Sequence, residues 1–348
     1  VRDRLDTIDY LLGGGGVNRE AFYPELLERG VVMGRRILLP VSFNLPAIAF
    51  RRGGNAAAGG GFTLSLEEMA GPAAAFNAME NGGYARMGFS PRWREQFFVA
   101  VLDSGTAGSR GAAFRERSAH GLEAGLAWDG QVVAASVAAV ACWSARGNGS
   151  ALLEDNFQFK YLYAPPYRWL KEGRVLYAYL DSSELFALPE VRRADLDFRW
   201  YTNAGHAPVS EGAAYAGFPH GAPGRKKAEA FLRWLLTPGA QKAILERSSR
   251  DRALENSFGI VGGFSSIRSV NEETFPSYYS ALVGHAPPTL AMPGILPEDW
   301  RSLESGVIAP WALKTAATLQ SPHTRAASSE ASDELAQRLA EHKQAAIR

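Results

Sequence analysis

The stretch 211–247, EGAAYAGFPHGAPGRKKAEAFLRWLLTPGAQKAILER, decides the fold class, because it holds an apolar strand, a turn and two helices in direct succession. Residues 213–218 are small and apolar, which predicts a buried strand. The glycines and prolines of 219–224 prevent a strand or a helix from continuing, so the chain must turn there. The stretch therefore predicts a strand, turn, helix, helix unit.

The first helix of this unit carries apolar residues at the spacing i, i+3, i+4, i+7. That spacing places them on one face of the helix: Ala228, Phe231, Leu232 and Leu235. Thr237-Pro238 then ends this helix and begins the next, with Thr as N-cap and Pro at the first helical position. We expect two helices that meet at this dipeptide.

Length and composition indicate a two-lobe globular protein. The 348 residues exceed the roughly 250–300 that one core usually holds, so two lobes are expected. The net charge of +1 provides no basic surplus for a phosphate backbone, which argues against nucleic acid as a partner. The longest apolar run, 132–143, is about half the roughly 20 residues of a membrane-spanning helix and predicts a buried helix instead.

Neither a metal nor a cofactor is expected. The single cysteine, Cys142, excludes an internal disulfide and a cysteine-based metal cluster, and its apolar surroundings predict a buried residue. The six His lack metal-ligand spacing. The first residue is Val and no signal-like segment precedes the fold, so we expect the chain to be cut and any targeting signal to have been lost.

Strands and helices alternate along the chain, which predicts the α/β class. The segment 36–50, RILLPVSFNLPAIAF, is apolar but interrupted by Pro40 and Pro46, so we expect a crossing segment and not one continuous central strand. Ser65 with Glu68 predicts a capping box for a helix that Gly71-Pro72 disturbs. Ser90-Pro91 predicts the start of a helix that carries Trp93 in its first turn.

A polar triplet, Asp181-Ser182-Ser183, follows a predicted strand at 174–180. In an open α/β sheet, ligand contacts collect at the carboxyl end of a strand and at the following helix N-terminus. A helix N-cap with no ligand explains the triplet equally well. Both interpretations stay open at this point.

Catalytic motifs are absent from the sequence, which contains no G-x-S-x-G nucleophile elbow, no H-E-x-x-H and no P-loop. The acid pairs Glu67-Glu68, Glu154-Asp155 and Glu298-Asp299 would point apart on a helix, and the helix dipole explains acids at an N-terminus. We therefore interpret these pairs as structural.

Aromatic residues are abundant, with 8 Trp, 12 Tyr and 18 Phe, and several of them stand at predicted element ends: Trp93, Tyr163, Phe218, Phe264 and Trp300. Flat rings at the rim of a cleft suit a ligand with apolar CH faces and a polar edge, such as a sugar. Core packing is the more common use of any single aromatic residue.

The order of several motifs resembles that of a known family. LLPVSFNLPAIAF, GFSPRW, AYAGFPHG followed by KKAEAFLRWLLTPGAQKAILE, FGIVGGFSSI and LPEDW occur in succession. This order resembles the extracellular solute-binding proteins of ABC importers, in the maltose- and oligosaccharide-binding branch, with spirochaete-type members as the best match. The resemblance runs from about Asp9 to about Leu319.

The resemblance implies two α/β lobes joined by crossing segments near 39–50, 208–218 and 290–293, with the ligand held between lobes that close around it. It assigns 1–45 and 212–288 to the N-lobe, and 46–211 and 289–348 to the C-lobe. Family members carry several strand and helix units before the first crossing, where this chain has about 35 residues. We therefore expect an incomplete N-lobe with exposed apolar surface on 213–218 and on the helix at 225–236.

The resemblance also implies ligand contacts. Matched by motif, Trp300 stacks on a sugar, Trp93 lines the cleft from the second lobe, and Asn44 is a polar hinge contact. Asp181 and Ser182 fall near further second-lobe contacts, although many members have a Gly-x-Trp pattern there. The motifs leave the identity of the solute open.

The implied function is that of a non-catalytic receptor that captures a solute, expected to be a sugar or oligosaccharide, and delivers it to an ABC permease. Such a receptor works in the periplasm or at the cell surface, peripheral to the membrane and in some members lipid-anchored. A carbohydrate-active enzyme that uses Asp181 and Glu298 on a similar aromatic cleft is the alternative. Product formation distinguishes the two.

Overall fold

A computed structural model describes residues 4–13, 16–54, 61–104, 113–117, 125–319 and 333–342 of the chain. Its strands are β1 (Val31–Val32), β2 (Arg35–Arg36), β3 (Leu39–Phe43), β4 (Pro46–Arg51), β5 (Thr63–Leu64), β6 (Ala78–Glu80), β7 (Gly83–Arg86), β8 (Phe114–Arg117), β9 (Gly125–Trp128), β10 (Tyr177–Asp181), β11 (Leu196–Tyr201), β12 (Ala207–Pro208), β13 (Ala214–Ala216), β14 (Phe264–Ser265) and β15 (Leu290–Ala291). The mixed α/β class is confirmed.

The helices are interleaved with these strands along the chain. They are α1 (Pro24–Arg29), α2 (Leu66–Phe76), α3 (Glu95–Ser104), α4 (Gly130–Gly147), α5 (Ala151–Lys160), α6 (Pro166–Lys171), α7 (Ser182–Ala187), α8 (Glu190–Arg193), α9 (Arg225–Leu235), α10 (Pro238–Arg250), α11 (Trp300–Leu303), α12 (Ala309–Thr318) and α13 (333–342). A π-helical turn, Glu304–Ile308, joins α11 to α12.

The chain divides into two compact units, and each is discontinuous in sequence. Unit 1 is Val1–Ala47, Leu180–Trp200 and Val209–Met292, and unit 2 is Ile48–Tyr179, Tyr201–Pro208 and Pro293–Arg348. These units differ from the predicted lobe boundaries chiefly at Leu180–Trp200, which the prediction kept with the C-lobe. The assignment of N-lobe and C-lobe stays a prediction.

The passages between the units coincide with strands. The unit boundaries fall after residues 47, 179 and 200, inside β4, β10 and β11, and after residues 208 and 292, beside β12 and β15. The strands β4, β10 and β11 belong to one four-stranded sheet of order β10-β4-β11-β5.

In unit 1, the buried strand β3 is central to an antiparallel sheet of order β13-β3-β14. The prediction that 36–50 is not one continuous strand is confirmed, since β3 and β4 are separate strands with Asn44 and Leu45 between them. Pro40 nevertheless lies inside the central strand. The pairing register of β13 shifts between Ala214 and Tyr215, and Tyr215 is the partner of Pro40, so the irregular pairing accommodates the missing N–H.

The strand, turn, helix, helix unit predicted for 211–247 is confirmed as β13, α9 and α10. The Thr237 hydroxyl accepts a hydrogen bond from the Ala240 N–H at 3.3 Å, which makes Thr237 the N-cap of α10. β13 is half-buried and not buried. On the predicted apolar face of α9, Leu232 is buried but Phe231 is 58% exposed, so that face is only partly covered.

Aromatic packing forms much of the core of unit 1. Phe264 is fully buried and lies with its ring centroid 4.9 Å from that of Phe258 and 5.4 Å from that of Trp200. A tight turn within FGIVGGFSSI precedes it, with positive φ angles at Gly259, Val261 and Gly262. The Cβ of any larger residue at Gly259 would lie 2.2 Å from the Gly263 carbonyl oxygen, so only glycine fits that position.

In unit 2, the predicted buried helix at 132–143 is confirmed as part of α4, which packs with α2, α3 and α12. Cys142 on α4 is half-buried, where the sequence had predicted a buried residue. Leu335 and Leu339 of α13 are 0% and 6% exposed within the same core. This amphipathic C-terminal helix therefore packs on unit 2. The preceding linker, 321–332, lies outside the described residues.

Two predicted helix boundaries need correction. Ser90-Pro91 does not begin a helix: the Ser90 hydroxyl accepts from the Arg92 N–H at 3.1 Å, which makes a turn, and α3 begins only at Glu95. Trp93 therefore lies before the helix. The capping box of Ser65 and Glu68 is confirmed, but α2 continues through Pro72 because that face is exposed and water can satisfy the freed carbonyl.

Candidate functional site

A cavity of about 400 Å³ lies within unit 2, between the 89–97 segment, α5, the 162–166 loop and β10. Six aromatic side chains line it: Phe89, Trp93, Phe97, Tyr163, Trp169 and Tyr179. Its polar side chains are Ser90, Arg94 and Gln158. An aromatic wall with a few polar groups is typical of a small-molecule site.

Trp93 is fixed in this wall from several directions. Its ring stacks on Phe157 at 5.4 Å between centroids, and Trp169 lies edge-on to it at 5.7 Å. The Trp93 indole N–H donates to the Glu154 carbonyl oxygen at 3.3 Å, and its own carbonyl accepts from Gln158 Nε2 at 2.9 Å. The ring is 8% exposed, so its orientation is set by the protein before any ligand arrives.

Tyr163 lines the same cavity but is 97% exposed. It follows α5 and precedes Pro165-Pro166, which ends the loop at the first turn of α6. The two prolines restrict the backbone of the loop. The loop therefore has a defined position at the cavity, although the exposed Tyr163 ring is free to turn. The structure thus brings together two predicted contact residues, Trp93 and Tyr163.

One donor on the cavity wall lacks a partner. Trp169 is 7% exposed, and among the described residues no acceptor lies within hydrogen-bond distance of its buried indole nitrogen. A buried N–H without an acceptor costs free energy. Arg94 supplies a cation at the same wall, with its guanidinium 5.9 Å from the Tyr179 ring centroid.

A second group of predicted residues lies together in unit 1. The Ser182 hydroxyl donates to Asn44 Oδ1 at 2.7 Å and accepts from the Leu45 N–H at 3.1 Å. Asn44 Nδ2 donates to the Gly262 carbonyl oxygen at 2.9 Å. These bonds join the end of β3, the start of α7 and the turn before β14, so the polar atoms of Asn44 and Ser182 hold unit 1 together.

Asp181 is the N-cap of α7. Its carboxylate accepts from the Ser183 N–H at 2.9 Å and from the Ser183 hydroxyl at 2.6 Å, and Glu184 completes a capping box. Burial raises the pKa of Asp181, and the hydrogen bonds from Ser183 and Ser210 oppose that rise. Of the two interpretations left open by the sequence, the structure shows the N-cap.

The other three predicted contact residues are buried in packing away from the cavity. Trp300 is 5% exposed with its ring centroid 5.3 Å from that of Phe114. Phe264 belongs to the aromatic core of unit 1, and Phe218 is 7% exposed beneath the Arg225 guanidinium, 4.2 Å from its ring centroid. Their position at element ends reflects core packing, the more common use of an aromatic residue.

Most of the cavity wall was not predicted from the sequence. Phe89, Phe97, Trp169 and Tyr179 lie in or beside apolar runs, where a buried core position is the ordinary expectation. A usable signal existed in 157–169, FQFKYLYAPPYRW, where aromatic residues recur on both sides of Pro165-Pro166. Aromatic residues on both sides of a rigid turn belong to two neighbouring elements, which can place their rings in the wall of one cavity.

The described residues contain neither a metal-ligand cluster nor a helix that could span a membrane. No three His, Cys, Asp or Glu side chains in that part of the chain lie close enough together to hold a metal ion. No helix there has the length and apolarity that a membrane span requires.

Comparison with solved structures identifies the fold. The sugar-binding protein MalE from Xanthomonas citri has a TM-score of 0.59 at 12% identity, covering 100% of this chain and 82% of its own. A cyclo/maltodextrin-binding protein complexed with maltotetraose has a TM-score of 0.57 at 12% identity, covering 97% and 78%. The chain has the two-lobe solute-binding-protein fold.

A third similar structure is the galacto-N-biose/lacto-N-biose I-binding protein of an ABC transporter from Bifidobacterium longum, at a TM-score of 0.54 and 12% identity, covering 98% and 79%. No protein-family model matches the chain, and neither does any curated protein. The fold predicted from the motif order is thus confirmed by structure, where sequence comparison finds no relative.

Proposed function

We propose that this protein is a non-catalytic receptor that binds a carbohydrate in the aromatic cavity of unit 2 and delivers it to an ABC permease. The observation that carries the proposal is the cavity itself, whose lining combines aromatic rings with the polar side chains of Ser90, Arg94 and Gln158. The similar structures are named as sugar-binding proteins, and one as part of an ABC transporter, which supports the same function.

The cavity wall suits both the apolar CH faces and the polar hydroxyls of a sugar. The CH faces of a pyranose pack against flat rings, here Trp93 and Tyr163, while its hydroxyls require donors and acceptors at the ring edge. Ser90, Arg94 and Gln158 line the cavity and carry such groups. The proposal rests on Trp93 and Tyr163; it assigns Asn44, Asp181 and Ser182 to holding the crossing segment and Trp300 to the core.

Delivery to a permease belongs to the same proposal, as does a location in the periplasm or at the cell surface with peripheral or lipid-anchored attachment. The enzyme alternative has no comparable support, because the Asp181 carboxylate is occupied as an N-cap. The solute class is tested first, because the proposed permease and location both presuppose a receptor for that solute.

The test compares Tyr163→Ala with Phe231→Ala by titration calorimetry with maltotetraose and mannotriose. Tyr163 is 97% exposed, so its removal should leave the melting temperature unchanged while the affinity falls about tenfold. Phe231 is 58% exposed on unit 1 and serves as the control, which should bind as the wild type does.

Two outcomes would contradict the proposal. A wild-type protein that binds none of a panel of mono- and oligosaccharides is not a carbohydrate receptor. Shortened saccharides in the reaction mixture, detected by chromatography and absent from a Tyr163→Ala sample, would show that the cavity is catalytic.

A further inference from the structure

The sequence contains a carboxylate pair, Glu154-Asp155, which the proposed function does not use. The two side chains differ sharply in the structure, since the Glu154 side chain is 0% exposed and that of Asp155 is 55% exposed. Both contact the guanidinium of Arg92, whose side chain is 6% exposed. A buried carboxylate requires an explanation, because desolvation of a charge is costly unless partners compensate for it.

The Glu154 carboxylate is surrounded by donors. Oε2 accepts from Arg92 Nη1 at 3.1 Å and from the Ser144 hydroxyl at 2.8 Å, and Oε1 accepts from Asn148 Nδ2 at 2.7 Å. These donors come from the turn before α3 and from the C-terminal end of α4. The carboxylate on α5 therefore joins three parts of unit 2.

The same bonds extend to the cavity wall. Asn148 Nδ2 also donates to the Phe89 carbonyl oxygen at 2.9 Å, and the Arg92 main-chain N–H donates to the Ser90 hydroxyl at 3.1 Å. The Trp93 indole donates to the main-chain carbonyl of Glu154 itself. Phe89 and Ser90 are thus each bonded to a residue that donates to this carboxylate, and Trp93 is bonded to the main chain of Glu154 itself.

We infer that Glu154 is a positioning residue, which holds the turn of Ser90 to Trp93 against α5 and so fixes the Trp93 ring in the binding wall. The inference rests on the proposed function for its effect on affinity, although the position of Trp93 can be measured without a ligand. Glu154 does not line the cavity.

A glutamine at this position would not substitute for the carboxylate. Three donors converge on the two carboxylate oxygens, whereas a carboxamide has one oxygen and one NH₂ group. Its NH₂ would face Asn148 Nδ2 in one orientation and Arg92 Nη1 in the other, donor against donor. Relief of that contact requires the turn, the helix end or both to move.

Asp155→Asn is the matched control, because it removes one negative charge at the same 3.1 Å distance from Arg92. The Asp155 carboxylate is more than half exposed, and water screens it and replaces its interactions. A purely electrostatic or purely local helix effect would affect both variants, while a positioning effect would be confined to Glu154→Gln.

The experiment measures the indole 15N–1H resonance of Trp93, assigned by its absence in Trp93→Phe, together with the Kd for maltotetraose. Glu154→Gln should move this resonance and weaken binding by at least about tenfold. Asp155→Asn should leave the resonance in place and the Kd within about twofold of the wild type. If Glu154→Gln fails to fold, Ser144→Ala removes a single donor and should move the resonance in the same way.

An unmoved Trp93 resonance in Glu154→Gln and Ser144→Ala would overturn the inference, as would a moved resonance with unchanged affinity. Equal effects of Glu154→Gln and Asp155→Asn would also overturn it. If the wild type binds no saccharide, the proposed function fails, and the resonance alone then decides whether Glu154 positions Trp93.

Discussion

Trp93 and Tyr163 differ in how much conformational freedom they would lose on binding a ligand. The Trp93 ring is held by stacking and by the hydrogen bond of its indole N–H, and the Trp93 main-chain carbonyl accepts from Gln158. The Tyr163 ring, in contrast, is 97% exposed. Ordering a free side chain costs roughly 0.5–1.5 kcal/mol on association. Trp93 therefore contributes a surface that is ready for the ligand, and Tyr163 contributes one that must be ordered.

Asp181 gives a pH-dependent prediction. Because burial raises the pKa of its carboxyl group above the ordinary 3.8, the folded state binds the proton more tightly than the unfolded state does. Its contribution to the free energy of unfolding is therefore greatest at low pH and is lost as the pH rises through the folded value. Asn caps a helix about as well as Asp but does not titrate.

We expect Asp181→Asn to gain stability relative to the wild type as the pH rises above 3.8, until the Asp181 carboxyl is fully ionised. Urea unfolding of both proteins across a pH series measures this difference. Parallel curves with a constant offset would show that burial does not perturb the carboxyl group.

At the residue scale, the sequence predicted aromatic contacts but could not rank them. Trp93 and Trp300 stand in similar local contexts, each in a short polar stretch near a helix start. Their difference arises from distant residues, since Phe114 packs on Trp300, whereas Phe157 and Trp169 pack on Trp93 at the wall of the cavity. Long-range packing of this kind leaves no local pattern.

At the element scale, α13 supplies buried residues to unit 2 although it follows a long polar stretch of sequence. Leu335 is fully buried in the core cluster that also contains Trp311 of α12. The helix is therefore part of the folded unit and not an appended tail.

Leu335→Ala should lower the free energy of unfolding by about 2–5 kcal/mol, because it removes a buried side chain and leaves a cavity. Gln337→Ala, at an exposed position of the same helix, should change it by no more than about 0.5 kcal/mol. Chemical denaturation measures both. Equal small effects would indicate that α13 is not docked in solution.

Element types were more predictable than element ends. Thr237 and Ser65 predicted the starts of α10 and α2 correctly, because an N-cap is local: each hydroxyl accepts from the N–H three positions ahead. Ser90 is a hydroxyl residue before a proline, as Thr237 is. Its hydroxyl, however, accepts from the N–H of Arg92, two residues ahead, and makes a turn. The turn at Ser90 also depends on a distant contact, because Arg92 binds Glu154, and Glu154 lies 62 positions further along the chain.

At the scale of the whole molecule, the order of motifs predicted the fold although sequence identity to the similar structures is only 11–15%. Turn glycines, helix caps and crossing prolines depend on backbone geometry, which the fold fixes. The cavity wall depends on side-chain packing, so it required the structure.

Exposed rings on α9 give a prediction about assembly. Phe231 and Trp234 are 58% and 48% exposed, with their ring centroids 5.7 Å apart. Adjacent exposed rings favour association, because burying them removes apolar surface from water. We expect light scattering to show a mass that rises with concentration and that Phe231→Ser with Trp234→Ser reduces. A monomeric wild type at every concentration would contradict this.

The discontinuity of both units bears on how the protein folds during synthesis. Unit 1 needs residues up to Met292, and the core of unit 2 is completed only by Leu335. At roughly 5–20 residues per second, the ribosome therefore exposes apolar strands such as β3 and β4 for many seconds before either core can close. The nascent chain should therefore depend on holding chaperones until these residues have been synthesised.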